Sequence, residues 1–411
     1  MNYELFLAKR IIAAKQHKSS VSSPIIKIAI AAIALGIVIM LISIATGVGL
    51  QHKIKEKISG FNGHVQITNY EDNNSQITVS PISKEQEFYP NFSNVEGVKS
   101  VQIFATKAGI IRTDTDFEGV IFKGVDNKFD WSFFDGYLTQ GTILKLTDSS
   151  SKSVLISKIT ADRLNLKIGD DFNLFFVKDD PNKAPNVRVF SIAGIYNSGF
   201  KEFDESFVIG DIKHIQRLNK WKPNEIGGFE VLLNDFDELE EKGEEIYQNV
   251  SSTLNAQTIS EKYPAIFEWL HLFDTNIIVI IGIMILIAGI NMITALLVLI
   301  LERTQMIGIL KALGSSNWSI RKMFLYNAAY LVTVGLFWGN LIGIGLLLIQ
   351  KYFGVIQLNP ESYYVSEAPV YIGIDYILLL NIGTMVLCLI MLLIPSYIVS
   401  KISPVKAIKF D

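Results

Sequence analysis

Four stretches of this chain contain no Asp, Glu, Lys or Arg: Ile28–Leu50, Thr275–Leu301, Met323–Gln350 and Tyr376–Ser400. Each exceeds the roughly 20 apolar residues that a helix needs to cross a hydrocarbon core about 30 Å thick. Lipid offers no partner to a backbone N–H or C=O, so a stretch of this length and composition is predicted to span as a helix. The first stretch is too long for the apolar region of a secretory leader and has no persuasive small-x-small cleavage site, so it reads as a retained span. With 49% hydrophobic and 19% charged residues, the whole chain carries the same bias.

Charge orients the four spans. Before the first, Lys9, Arg10, Lys15, Lys18 and Lys27 against Glu4 leave +4. Between the second and third, Arg303, Lys311, Arg321 and Lys322 against Glu302 leave +3. After the fourth, Lys401, Lys406 and Lys409 against Asp411 leave +2. The loop 351–375 carries −2, and the long insert between the first two spans carries −10. Cytoplasmic loops collect Lys and Arg, so both termini are expected in the cytoplasm and the insert outside it.

The expected organisation is a membrane protein of four transmembrane α-helices with a large α+β extracytoplasmic domain inserted between helices 1 and 2. In order, it comprises a cytoplasmic amphipathic N-terminal helix (1–24), a span (25–50), the extracytoplasmic domain (51–274), and a second span (275–301). A cytoplasmic helical connection (302–322), a third span (323–350), an outer loop (351–375), a fourth span (376–400) and a cytoplasmic tail (401–411) follow. The N-terminal helix reads equally as interfacial or as an ordinary solvated helix. Within the insert, VKSVQIFATKAGIIRT, EGVIFKGVD and RVFSIAGIYNSGF are β-branched and aromatic runs that read as strands. ISKITADRLNLKIGDDF and VIGDIKHIQRLNKW contain short helical periods, and DELEEKGEEIYQNV reads as an acidic amphipathic helix. The insert is long enough for its own core, plausibly in two subdomains. Lys178–Asn186, with two prolines and no apolar anchor, predicts a protruding loop or a plain solvated hairpin.

The connection ERTQMIGILKALGSSNWSIRKMF predicts a helix with Ile307, Leu310, Ala312 and Leu313 on an apolar side. Gly314 ends it, and Ser315 or Ser316 caps the next helix. Such a mixed apolar and basic elbow either meets a partner or dips into the membrane interface. Several chemistries are missing. There is no phosphate-binding G-x-x-x-x-G-K-[ST], H-E-x-x-H, C-x-x-C or G-x-S-x-G motif. One cysteine, Cys388, excludes an intrachain disulfide framework, and the five histidines are too scattered to suggest a metal centre. The uncharged spans argue against a proton relay. Nothing in the charge balance points to nucleic acid. Energy, if used, must come from another protein.

The segment ERTQMIGILKALGSSNWSIRKMFLYNAAYLV resembles the cytoplasmic loop and third span of FtsX-like ABC transporter permeases. Three further stretches are similar to the lipoprotein-releasing (Lol-type) transmembrane subunits. These are FLAKRIIAAKQHKSS with IALGIVIMLISIATGVGLQHKIKEKISGFNGHVQI, the loop ESYYVSEAPVYI, and the ending IPSYIVSKISPVKAIKFD. Within the insert, ISKITADRLNLKIGDDF and FSIAGIYNSGFKEFDESFVIGDIKHIQRL are similar too, so the resemblance covers essentially the whole chain.

That resemblance implies a multi-pass permease of the bacterial inner membrane, with a periplasmic domain and no enzymatic activity of its own. Its implied partners are an ABC ATPase dimer that holds ATP and Mg, a second identical or homologous permease, lipoprotein cargo, a periplasmic lipoprotein carrier and membrane lipid. This chain itself would hold no cofactor. The resemblance puts Glu302, Arg303, Ile307, Leu310, Lys311, Ala312, Leu313 and Gly314 on the segment that couples to the ATPase. It puts Ala45, Val48, Tyr363 and Tyr364 against lipoprotein, and Asp180, Pro181, Asn182, Lys183, Ala184 and Pro185 where a paired permease docks the carrier. An FtsX-like or macrolide-efflux-type permease that signals to a periplasmic partner without moving lipoprotein is the alternative. Macrolide-efflux permeases usually fuse their ATPase ahead of the first span, whereas a short basic segment precedes it here.

Overall fold

A computed structural model describes Glu4, Arg10 and residues 22–71, 79–113, 115–178 and 184–402. Most of the expected N-terminal amphipathic helix and most of the C-terminal tail therefore lie outside the described residues. Among the described residues four helices are long and apolar enough to cross a membrane, and a large α/β domain is inserted between the first and second, as the charge-free stretches predict. The helices are α1 (Ser22–Asn62), α2 (Pro264–Glu302), α4 (Asn317–Phe353) and α5 (Ile374–Ser396). Between α2 and α4 sits α3 (Thr304–Ala312), and after α5 comes α6 (Ile398–Lys401). Both α1 and α2 continue past the expected span ends. His52–Lys57 ends the apolar run but contains no glycine or proline, so nothing there breaks the helix.

The chain divides into two compact units. The membrane unit comprises residues 1–51, 269–357 and 367–411. One cluster in its core brings Ile33 of α1, Met292 and Leu296 of α2, Ile307 of α3, Phe324 of α4 and Leu392 of α5 together. A second is built on Ile37, Leu41 and Ile44 of α1 with Leu347 and Leu380.

The domain unit comprises residues 52–268 and 358–366. Its strands are β1 (Val65–Asn69), β2 (Ile82–Ser83), β3 (Val98–Arg112), β4 (Phe117–Val125), β5 (Leu138–Gly141), β6 (Ser153–Ser157), β7 (Asp171–Phe176), β8 (Asn186–Tyr196), β9 (Phe207–Asp211), β10 (Glu225–Ile226), β11 (Gly228–Leu233) and β12 (Leu254–Thr258). All but the small β2–β10 pair belong to one ten-stranded sheet. The long strand β3 serves two regions of it. Its first half pairs with β11, continuing into β1 and β12, while its second half pairs with β7. The path β3–β4–β9–β6–β8–β7 returns to β3 and closes on itself. Buried Phe122, Phe172, Phe176 and Phe190 pack in this ring, with Phe122 and Phe190 stacked at 5.0 Å. The sheet thus has two regions joined through β3, which is long enough to belong to both.

A buried polar junction lies where the regions meet. The Lys123 ammonium on β4 sits 2.6 Å from Glu230 Oε1 on β11 and also donates to the Phe61 carbonyl. Gln66 donates to Glu230 at 3.3 Å and accepts from Lys262. Removing either member of the Lys123–Glu230 pair would leave an uncompensated buried charge, costing about 3–5 kcal/mol.

Candidate functional site

Two features of the membrane unit stand out as candidate sites: a groove and an elbow. The groove, about 560 Å³ in volume, lies between α1, α2 and α5. Ile44, Val48, Ile277, Ile281, Ile285 and Leu380 form much of its wall. At one end Gln51 donates to Asp274 Oδ1 at 2.8 Å and to the Leu270 carbonyl at 3.1 Å. Deeper in, the buried Thr384 hydroxyl has no hydrogen-bond partner among the described residues. An apolar cleft with a polar end has the form of a site for a long alkyl chain carrying a polar head. Of the residues expected to meet lipoprotein, Val48 lines this groove. Ala45 is buried, and its carbonyl accepts from Tyr371 N at 2.9 Å.

Tyr363 and Tyr364 belong to the domain unit. Tyr364 has a left-handed backbone (φ 59°) and stacks on Phe200 at 4.6 Å. Its carbonyl accepts from Lys57 Nζ at 2.8 Å, and its hydroxyl lies 3.4 Å from Glu202. Burial raises both the Glu202 carboxyl and the Tyr364 phenol above their ordinary values. Tyr363 is exposed. In the same unit a cavity of about 490 Å³ is lined by Lys57, Tyr137, Arg163, Lys201, Asp204 and Glu205, among others. Burial pushes Asp204 up to about 6 although Ser198 and Gly199 donate to its carboxylate.

The elbow is α3 and the turn after it. Glu302 ends α2, and Arg303 is the turn residue before α3, its Nε without a hydrogen-bond partner among the described residues. Ala312 closes α3. Ser315 N bonds to the Leu310 carbonyl and Gly314 N to that of Lys311, the paired bonds of a Schellman motif. Gly314 supplies the required positive φ of 93°. The cap of α4 is Ser316, whose Oγ accepts from Ser319 N at 3.2 Å. The predicted apolar side divides in two. Ile307 is fully buried, and Leu310 packs against the same core cluster. Leu313, 78% exposed, forms the outward surface with Ile309 and Trp318. Lys311 points inward: its ammonium donates to the carbonyls of Val399 (2.7 Å), Ile402 (2.8 Å) and Ser400 (3.3 Å). Burial lowers its pKa below the ordinary lysine value.

Of the expected carrier-docking loop, Asp180, Pro181, Asn182 and Lys183 lie outside the described residues; Ala184 and Pro185 are exposed just before β8. Sequence reasoning missed Ile44, Ile277, Ile281 and Leu380, because every face of each span is apolar and spacing does not single one out. Gln51 and Asp274 did carry a signal. Each is the first residue outside a charge-free stretch, where a polar group can close the end of an apolar cleft. Among the described residues no group of three or more His, Cys, Asp or Glu could hold a metal ion.

The family model described as FtsX-like permease C-terminal matches residues 278–404. The model described as MacB-like periplasmic core domain matches residues 28–248, more than half of the chain. The lipoprotein-releasing system transmembrane protein LolC of Neisseria meningitidis is 20% identical over 99% of both chains. LolE of Haemophilus influenzae, which bears the same description, is 21% identical, also over 99% of both. LolC of Xylella fastidiosa is 18% identical over 63% of this chain, which spans only 65% of that relative's length.

Proposed function

Because the chain belongs to the FtsX-like permeases with a MacB-like periplasmic core domain, we propose that it is the permease subunit of an ABC transporter that extracts lipoproteins from the outer leaflet of the inner membrane. It passes them to a periplasmic carrier. The observation that carries this reading is the apolar groove with Gln51 and Asp274 at one end. Exposing a methylene to water costs about 0.8 kcal/mol, so an acyl chain of about fifteen methylenes costs on the order of 12 kcal/mol. A lipoprotein therefore needs a continuous apolar path, and the groove offers its first section. The full LolC and LolE relatives, whose names state lipoprotein release, support the same class of cargo.

In this reading the basic elbow faces the cytoplasm and docks on a separate ATPase dimer, which holds ATP and Mg. A second permease, identical or homologous, completes the assembly, and lipids of the outer leaflet border the groove. The chain's residues perform no covalent chemistry. Ile309, Leu313 and Trp318 present the docking surface, while Ile307 and Leu310 transmit force into the helix core. The residues of the 180–185 loop meet the carrier, and Tyr363 and Tyr364 meet the cargo as it leaves the membrane.

Reconstitution of the complete complex in proteoliposomes with an acylated lipoprotein and a soluble carrier tests the reading. ATP-dependent appearance of lipoprotein in the soluble fraction is expected. ATP hydrolysis that leaves all lipoprotein in the membrane but activates a periplasmic hydrolase would establish the signalling alternative instead. Leu313→Asp, on an exposed surface, is expected to weaken co-purification with the ATPase at least 10-fold without lowering the yield of folded permease. Unchanged co-purification would remove Leu313 from the docking surface.

A further inference from the structure

The end of the last membrane helix is broken. Pro395 interrupts α5, the chain turns at Tyr397, and α6 closes at Lys401. Such an end leaves carbonyls without intrahelical donors. Two cations from the elbow side donate there, beside the Ile402 N–H on the Val399 carbonyl (3.4 Å) and the Ser396 hydroxyl on the Leu393 carbonyl (2.7 Å). Lys311 places its ammonium among the carbonyls of Val399, Ser400 and Ile402, and a lysine ammonium has three protons to give. Arg321, in the first turns of α4, donates through Nε to Ser396 Oγ and through Nη2 to the Leu393 carbonyl, both at 3.1 Å. Around them, Ile307, Leu310, Val399 and Ile402 share one apolar cluster.

The covalent chain joins the elbow only to α2 and α4. We infer that Lys311 is a positioning residue that ties the elbow to α6 as well, so that a displacement of α3 reaches the groove through α5, the helix that α6 follows and that supplies one of the groove's walls. The far half of α5 contributes Tyr376, Leu379, Leu380, Gly383, Thr384 and Leu387 to that wall. Three charge-assisted bonds to backbone hold more firmly than side-chain packing alone, because carbonyls cannot move away without moving the helix. The transmission half of this inference rests on the proposed transport function; the tie itself does not.

Two readouts separate them. In a Cys388→Ala background, nitroxide labels at Ile309→Cys and Lys401→Cys, both exposed positions, report the distance between elbow and α6 in the full chain. Combined with Lys311→Met, the pair is expected to give a broadened or displaced distance distribution, and with Lys311→Arg, which keeps the donors, a narrow one. In the reconstituted complex, Lys311→Met is expected to lower lipoprotein released per ATP hydrolysed at least 5-fold, with Lys311→Arg retaining most of it. An unchanged distribution in Lys311→Met overturns the tie. A broadened distribution with unchanged release per ATP overturns the transmission. If the wild-type complex releases no lipoprotein, the transport reading fails, while the label pair still decides the tie. If Lys311→Met does not fold, Lys311→Gln replaces it in both measurements.

Discussion

One stripe of α1 meets two different surroundings. Ile33, Ile37, Leu41, Ile44 and Val48 follow one another at helical spacing and share a face. The first three pack on α4, where Gly335, Gly339 and Gly343 recur every fourth residue. A Cβ at Gly335 would lie 2.7 Å from Ile33 Cγ2, and one at Gly339 2.7 Å from Ile37 Cβ and 2.8 Å from the Ala34 carbonyl. Ile44 and Val48, further along, face the open groove. Hydropathy is the same in both places. What differs is side-chain size on the opposing helix: glycines let two backbones approach until dispersion contacts close the seam, whereas branched residues on α2 and α5 leave room. Size, not apolarity, decides where a lipid chain could enter.

The largest expected effect comes from breaking the closed half. Gly339→Leu drives a side chain into the Ala34 backbone, which cannot yield as a flexible side chain would. Overpacking commonly costs 1–3 kcal/mol, and a clash with backbone belongs at or above about 3 kcal/mol. Resistance of the detergent-purified protein to SDS-induced unfolding should fall accordingly. A stability within about 1 kcal/mol of wild type would mean the seam is looser than the distances indicate.

The open half supplies the contrasting test. Gly383 lies on the groove wall, and a Cβ there meets no atom within 4 Å. Gly383→Phe should therefore fill the groove without straining the helices, leaving SDS resistance within about 1 kcal/mol of wild type. Lipoprotein release should fall at least 10-fold in the reconstituted complex while ATP hydrolysis continues. Release at the wild-type rate would show that cargo takes another path.

The contrast also marks what could be read beforehand. The four spans were legible because charge is expensive in lipid and its absence is conspicuous along a chain. The glycines at 335, 339 and 343 were legible in principle, since small residues every fourth position favour close helix approach, yet hydropathy alone passes over them. The groove was not legible, because every face of these helices is apolar. At the elbow, Gly314 announced the turn, but Lys311 reads in sequence as one more cytoplasmic positive charge. Its inward direction follows from the Schellman turn and from the broken end of α5, which no local pattern joins. In the domain, alternating apolar runs announced strands, while the double use of β3 depended on pairings between distant segments.

The smallest effect concerns whether the groove wall is held to the closed seam. Asn340 on α4 and Asn381 on α5 face each other within the membrane unit and exchange two hydrogen bonds, of 2.6 and 3.0 Å. Each amide nitrogen also donates to a carbonyl of its own helix, Leu336 for Asn340 and Ile377 for Asn381, both at 2.7 Å. All four N–H groups of the pair are thus satisfied, and α5 is pinned to the helix that carries the glycines. Hydrogen bonds between membrane helices contribute only about 0.6 kcal/mol on average, reaching about 1.7 kcal/mol, because alternative partners exist in the unfolded state. Asn381→Leu removes one partner and leaves Asn340 its own-helix acceptor, so a loss of about 1 kcal/mol in SDS resistance is expected. The double variant Asn340→Leu with Asn381→Leu should cost less than the sum of the singles, since the second substitution removes the group left unpaired by the first. Strict additivity would mean that the two amides do not interact, and that packing alone holds α5 and its groove wall against α4.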